Sequence, residues 1–320
     1  MTLLWIGFLL GVVALLALDL GVFNRTPHVI STREALGWTG FWIALSLAFN
    51  GLVYLIYEHG WFGVVDVAGG GKRAALEFFT AYLVEKSLSL DNIFVIALVF
   101  RYFRVPSAQQ HRVLFWGILG ALVLRGLMIG FGLALIHRFD WVPYVFGGFL
   151  LLTAVRMAIA DSEEVDPEKN LLMRLVRRFV PVTQGFREGH FVVREAGRWM
   201  VTPLFLALVV VESTDLVFAV DSIPAVFGVT SDGFIVFTSN VCAILGLRAL
   251  YFALAAILHR FQYIQHSLVG VLAFVGVKML IAGQVHISAV VSLAIIGGLI
   301  IVGIMASLWM DRGDDAPKRD

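Results

Sequence analysis

Carboxylates are spaced through two of the most apolar stretches of this 320-residue chain. EKSLSLDNI at 85–93 carries Glu85, Lys86, Asp91 and Asn92, and VESTDLVFAVDSI at 211–223 carries Glu212, Ser213, Thr214, Asp215, Asp221 and Ser222. A charged group at the bilayer centre costs about 2.5–3.5 kcal/mol on insertion scales, so five acids there need a chemical reason. The ligands on offer are nearly all oxygen, which suits a hard divalent cation, Mg²⁺, Ca²⁺ or Mn²⁺. The expected metal-binding set is Glu85, Asp91, Asn92, Glu212, Asp215 and Asp221.

Helical spacing refines that set. Glu212 and Asp215, three apart, share a face, whereas Asp221 points elsewhere. Pro224 leaves two readings: it breaks the helix, freeing carbonyls and turning Asp221 back toward the site, or it merely ends the helix. Arg125, Arg248 and Lys86 set three buried bases against the five acids, an excess of two negative charges if all are ionised. A divalent cation would neutralise that excess, and bound protons would do the same. The arginines read equally as ion pairs that lock helices. Carboxylates that exchange protons for metal would couple export to proton entry.

The elements that must position these residues are membrane helices. The chain is 59% hydrophobic against a usual ~45–50%, and its mean hydropathy is +0.88. Apolar runs long enough to cross ~30 Å of hydrocarbon lie at 3–23, 36–57, 76–100, 113–136, 141–160, 203–227, 233–257, 266–283 and 286–310, which predicts an all-α membrane protein with about nine spans. At ~1.5 Å per residue, Asp91, Glu212 and Asp215 then fall near the midplane. With the N-terminus outside, 3 loop Lys and Arg lie on the outer side and 16 on the cytoplasmic side, an asymmetry that fixes the orientation. The C-terminus is then cytoplasmic.

Internal copies organise the spans. EKSLSLDNI at 85–93 is echoed by DLVFAVDSI at 215–223, LVLRGL at 122–127 by LGLRAL at 245–250, and HRF at 137–139 by HRF at 259–261. Gly148, Arg156 and Met157 match Gly270, Lys278 and Met279 at equal spacing. Each copy spans three helices, an odd number, so the second is inverted, which is a transporter design with its site near the midplane. The expected organisation is two N-terminal helices (1–75), a first repeat (76–160), a cytoplasmic polar loop with a short helix near 168–179 (161–199), an inverted second repeat (200–283), a final helix (284–310) and a cytoplasmic tail (311–320).

Other chemistries lack their residues. A net charge of +1 gives no nucleic-acid footprint, and the single cysteine, Cys242, excludes an internal disulfide or thiolate cluster. No histidine pair has zinc spacing, GGG at 69–71 lacks the phosphate-loop ending, and neither GxSxG nor HExxH occurs. An enzyme and a resident cofactor are therefore not expected, and no sequence feature specifies an oligomeric state. The expected partners are the lipid bilayer and a divalent metal substrate. A membrane scaffold or metal chaperone, docking through 161–199, is the alternative.

VEKSLSLDNIFV at 84–95, VVESTDLVFAVDSIPAVFGVTSD at 210–232 and SNVCAILGLRALYF at 239–252 resemble the signature segments of the TerC family of bacterial membrane proteins, and the plan is most similar to its alkaline-pH-inducible Alx branch. The resemblance implies an inverted-repeat fold of the LysE-type exporter superfamily in the inner membrane, with Mn²⁺ efflux as the activity. By motif position, the family's acidic set maps onto Glu85, Asp91, Glu212, Asp215 and Asp221.

Overall fold

The computed structural model describes residues 1–18, 31–64, 70–159, 171–187, 189–195, 197–254, 264–285 and 287–314. Its helices are α1 (Thr2–Leu18), α2 (Thr32–His59), α3 (Gly70–Phe103), α4 (Ser107–Arg138), α5 (Val142–Ile159), α6 (Leu171–Phe179), α7 (Pro203–Phe227), α8 (Gly233–Leu245), α9 (Leu247–Leu254), α10 (Ile264–Ile281) and α11 (Ala289–Asp314). Among the described residues six helical stretches are long and apolar enough to cross a membrane: Arg33–His59, Ser107–Arg138, Val142–Ile159, Pro203–Phe227, Gly233–Leu254 and Ala289–Ser307. Thr2–Ala17 and His266–Ile281 are apolar but shorter. Residues 19–30, 160–170, 255–263 and 315–320, with the second HRF motif, lie outside the described residues.

Helix α3 is the longest, with 34 residues or about 51 Å, and it carries Glu77, Glu85, Lys86 and Asp91. Such a helix is tolerable in an apolar phase only when its polar face meets protein. Accordingly α3 sits at the centre, packed against α2, α7, α8 and α11. It runs antiparallel to α7: Asn92 bonds to Asp215, and fifteen residues earlier on α3 Glu77 accepts from Thr230, fifteen residues after Asp215. Helix α4 covers the same seam from α7 and α8, while α5 lies along α10. There Gly147 and Gly276 meet backbone to backbone, each lacking the Cβ that would stand 2.9 Å from the other's carbonyl oxygen.

Of four apolar clusters among the described residues, two flank the polar residues of α3 and α7. One gathers Ala81, Val84 and Leu88 of α3 with Ala219, Ile223 and Val226 of α7 and Leu268, Val271 and Leu272 of α10. The other gathers Ile93, Ile96 and Val99 of α3 with Leu206, Val210 and Val211 of α7 and Leu247 and Tyr251 of α9. Ser89, Asn92, Glu212 and Asp215 fall between them along the chain, so the polar layer interrupts an otherwise continuous core.

Three local features refine the expected elements. The stretch 233–257 is not one uninterrupted helix: it breaks at Gly246, where the Lys86 ammonium donates to the Ala243 carbonyl at 3.2 Å. A cation there compensates a carbonyl whose helical partner is lost. Helix α7 does not break before its proline; it runs through Pro224 and ends at Phe227, which agrees with the reading that the proline marks the helix end and not with the one that turns Asp221 back toward the site. The 161–199 loop holds its expected short helix and, in addition, a hairpin. Helix α6 seats Met173, 1% exposed, in the second cluster, and strands β1 (Val192–Glu195) and β2 (Arg198–Val201) form an antiparallel hairpin pairing Val192 with Val201.

Candidate functional site

Arg125 of α4 is the centre of the polar layer. Its guanidinium is 2% exposed and forks onto Asp215 of α7, Nε to Oδ2 at 3.1 Å and Nη2 to Oδ1 at 2.8 Å. Its Nη1 donates to Oε1 of Glu85 on α3, a carboxylate with no solvent exposure. Asn92 of α3 adds a 2.9 Å bond from Nδ2 to Asp215 Oδ1. Three helices thus meet through one cation, two carboxylates and one amide. Deleting one partner of such a buried pair is costly, because the other charge stays out of water without compensation.

Several oxygens in this layer are unspent. Among the described residues Glu85 Oε2, Asn92 Oδ1 and Glu212 Oε2 are buried without a hydrogen-bond partner, whereas buried polar atoms are nearly always paired. Glu212 lies one turn before Asp215 on α7, where Gly120 of α4 makes room for it. A Cβ at Gly120 would collide with the Glu212 carboxylate. Asn92, Glu212, Thr214, Asp215 and Arg248 line a cavity of about 20 Å³, walled by Ile96, Leu114, Gly117 and Val211. That space holds one water-sized body, far below the ~300–1,000 Å³ of an organic-ligand pocket.

The residues expected from sequence therefore separate. Glu85, Asn92 and Asp215 are brought together, with Glu212 beside them. Asp221 is elsewhere: it accepts from Thr153 of α5 at 3.1 Å, on another side of α7. Asp91 belongs to α3, and its side chain lies outside the described residues. Among the described residues no three His, Cys, Asp or Glu side chains converge as a ready cation cage. The guanidinium of Arg125 stands between the carboxylates that would form one.

Arg125 makes helix-locking ion pairs, one of the two readings its sequence position allows, and its place opposite both acidic segments is encoded in neither motif. Sequence reading passed over Glu77, two turns before Glu85. Glu77 is 4% exposed, pairs with Arg73 at 2.7 Å and accepts from Thr230 at 2.6 Å. Nearby, Tyr57 donates to Asp232 at 2.8 Å, and Asp232 caps α8 through the Phe234 and Ile235 amides. This network ties α2, α3 and the α7–α8 turn at the end of the bundle where α3 begins.

A family model described as Integral membrane protein TerC family matches residues 70–315. The chain is 48% identical to a membrane protein of Myxococcus xanthus designated STKORF319, over 98% of this chain and 96% of that one. It is 44% identical to Alx of Escherichia coli (strain K12), over 99% and 97% of the two chains, and 43% identical to Alx of Salmonella typhi, over 99% and 97%. Both Alx proteins are named as proposed membrane-bound redox modulators. No solved structure matches.

Proposed function

From its membership of the TerC family of integral membrane proteins, we propose that this multi-pass membrane protein is a secondary transporter, not an enzyme, that exports Mn²⁺ from the cytoplasm through the Arg125 layer. The observation that carries the reading is the pair of unspent oxygens of Asn92 and Glu212 on a cavity sized for an ion, with a third, that of Glu85, across the Arg125 guanidinium. Asp215, Glu212 and Asn92 are the first metal ligands, Glu85 joins them from the far side of the guanidinium, and Asp91 completes the acidic set. Asp221 serves the α5–α7 contact. The metal is cargo, passed on rather than kept.

In this reading Arg125 is a resident counter-cation. It neutralises Asp215 and Glu85 when no metal is bound, and arriving Mn²⁺ displaces its fork from Asp215. On release the guanidinium returns, so the empty site never leaves two buried carboxylates uncompensated. The two apolar clusters act as alternate seals above and below the layer, and protons returning through the acids provide the driving gradient.

The same proposal takes nine spans and two inverted three-helix repeats, in a bacterial inner membrane with the N-terminus outside and the C-terminus cytoplasmic. The antiparallel α3 and α7, the α4–α8 and α5–α10 contacts and the reciprocal Gly147–Gly276 crossing support the inversion. The redox role in the relatives' name would require chemistry other than an internal dithiol, since Cys242 is the single cysteine. A scaffold or metal-chaperone role draws support from the folded α6 and β1–β2 unit. Purified protein in liposomes separates the readings: the transporter moves Mn²⁺ unaided and Asp215→Asn does not, whereas wild-type vesicles without flux would leave the scaffold.

A further inference from the structure

Helix α6 has three sides with different chemistry. Met173 and Val176 face the protein, packing with Leu204 in the second apolar cluster. Leu171, Leu175 and Phe179, at i, i+4 and i+8, share a second face and are 78%, 51% and 73% exposed. Arg174, Arg177 and Arg178 occupy the third, and all three are exposed. An apolar face this bare on a nine-residue helix has no counterpart among water-solvated helices, whose exposed side is polar.

The level of α6 identifies what covers that face. Leu204 belongs to the first turn of α7, a helix long and apolar enough to span, and the first turn of a span lies where hydrocarbon gives way to headgroups. Arg101 and Arg104 at the end of α3 and Arg112 near the start of α4 share this end of the bundle. The adjoining hairpin exposes Trp199 with the Arg194 guanidinium 5.9 Å above its ring, the amphipathic type of side chain enriched at membrane interfaces.

We propose that α6 is an interfacial membrane helix that lays Leu171, Leu175 and Phe179 into the acyl boundary of the leaflet at this end and sets Arg177 and Arg178 on anionic lipid headgroups. An arginine-bearing helix with a separate apolar face binds by both terms, buried apolar area and attraction to acidic lipid. The lipid is the occupant because α6 is already held at bilayer depth by Met173, so its apolar face meets acyl chains without leaving the protein.

The single cysteine makes the test direct. In a Cys242→Ser background, full-length protein with Leu175→Cys or Phe179→Cys is spin-labelled and placed in nanodiscs of phosphatidylcholine, with or without phosphatidylglycerol. In the anionic discs both labels should collide with oxygen several-fold more than with a water-soluble nickel complex. Arg177→Gln/Arg178→Gln, or omission of phosphatidylglycerol, should shift that ratio toward the nickel complex. Labels open to nickel in every disc would overturn the proposal. Labels shielded from both reagents would also overturn it, by revealing a protein cover such as a second copy or the acidic 161–168 segment. Depth independent of lipid charge would remove the headgroup contacts.

Discussion

Replacing Arg125 removes three charge-assisted hydrogen bonds at once, two to Asp215 and one to Glu85. Deleting one partner of a buried pair costs about 3–5 kcal/mol against a total stability of about 5–15 kcal/mol, so Arg125→Gln alone should insert poorly or melt well below wild type. Two variants lessen that loss, although the second leaves Asp215 with only its Asn92 bond. Arg125→Lys keeps the charge but replaces the fork with a single point contact. Glu85→Gln/Arg125→Gln removes a positive and a negative charge together. If Mn²⁺ must displace the guanidinium from Asp215, giving up its two charge-assisted bonds costs about 3–6 kcal/mol. Removing that competitor should therefore tighten Mn²⁺ binding by about two to four orders of magnitude in the double variant, less in Arg125→Lys. Titration calorimetry on purified, monodisperse protein measures this, with Asp215→Asn as the non-binding control. Turnover in liposomes should fall in the same variants, because release needs the guanidinium to return. Unchanged or weaker binding in both folded variants would refute the counter-cation role. Binding only in the double variant would preserve it and mean that the wild-type fork outcompetes the metal.

Asp215→Asn should abolish Mn²⁺ flux with normal insertion, while Asp221→Asn, whose carboxylate meets Thr153 and not Arg125, should cost far less; equal losses in the flux assay would contradict the separation of the two acids. Gly120→Ala drives a methyl group into the Glu212 carboxylate, an overpacking of about 1–3 kcal/mol, and should lower both melting temperature and metal affinity; a silent variant would mean that Glu212 moves aside freely. Glu77→Gln weakens the bonds from Arg73 and Thr230, and a loss of about 1–3 kcal/mol is expected. Thermal unfolding with Mn²⁺ affinity unchanged would confirm that this end is a lock, whereas lost affinity at normal stability would make Glu77 part of the metal path.

The sequence disclosed what local chemistry can disclose. Glu85, Asn92, Glu212 and Asp215 were legible because acids and amides in apolar runs have no cheap structural reading. The short helix expected near 168–179 is present as Leu171–Phe179 among the described residues. The central place of Arg125 was not legible, since it depends on α4 crossing both α3 and α7 at one level, a non-local fact. The same holds for the break at Gly246: Gly is compatible with an unbroken helix, and the Lys86 bond to the Ala243 carbonyl beside the break comes from another helix. Asp221 shows the opposite failure. Its motif position matches Asp91 in the repeat, but motif position does not set which neighbour a side chain meets, and α5 reaches it with Thr153 first.

The antiparallel register of α3 and α7 carries the consequence furthest. A motif that ends in an amide, Asn92, meets a motif that supplies a carboxylate, Asp215, so the two copies contribute unlike groups at one level. The matching arginines diverge too: Arg125 spans two carboxylates, while Arg248 lines the small cavity beside them. The register alone sets the amide–carboxylate pairing: Asn92 stands near the end of one motif and Asp215 at the start of the other, so antiparallel helices bring an amide against a carboxylate instead of two like charges, which a low-dielectric layer would penalise. Of the oxygens left without a partner, those of Asn92 and Glu212 belong to residues that line the cavity, where an arriving cation would gain most from meeting them.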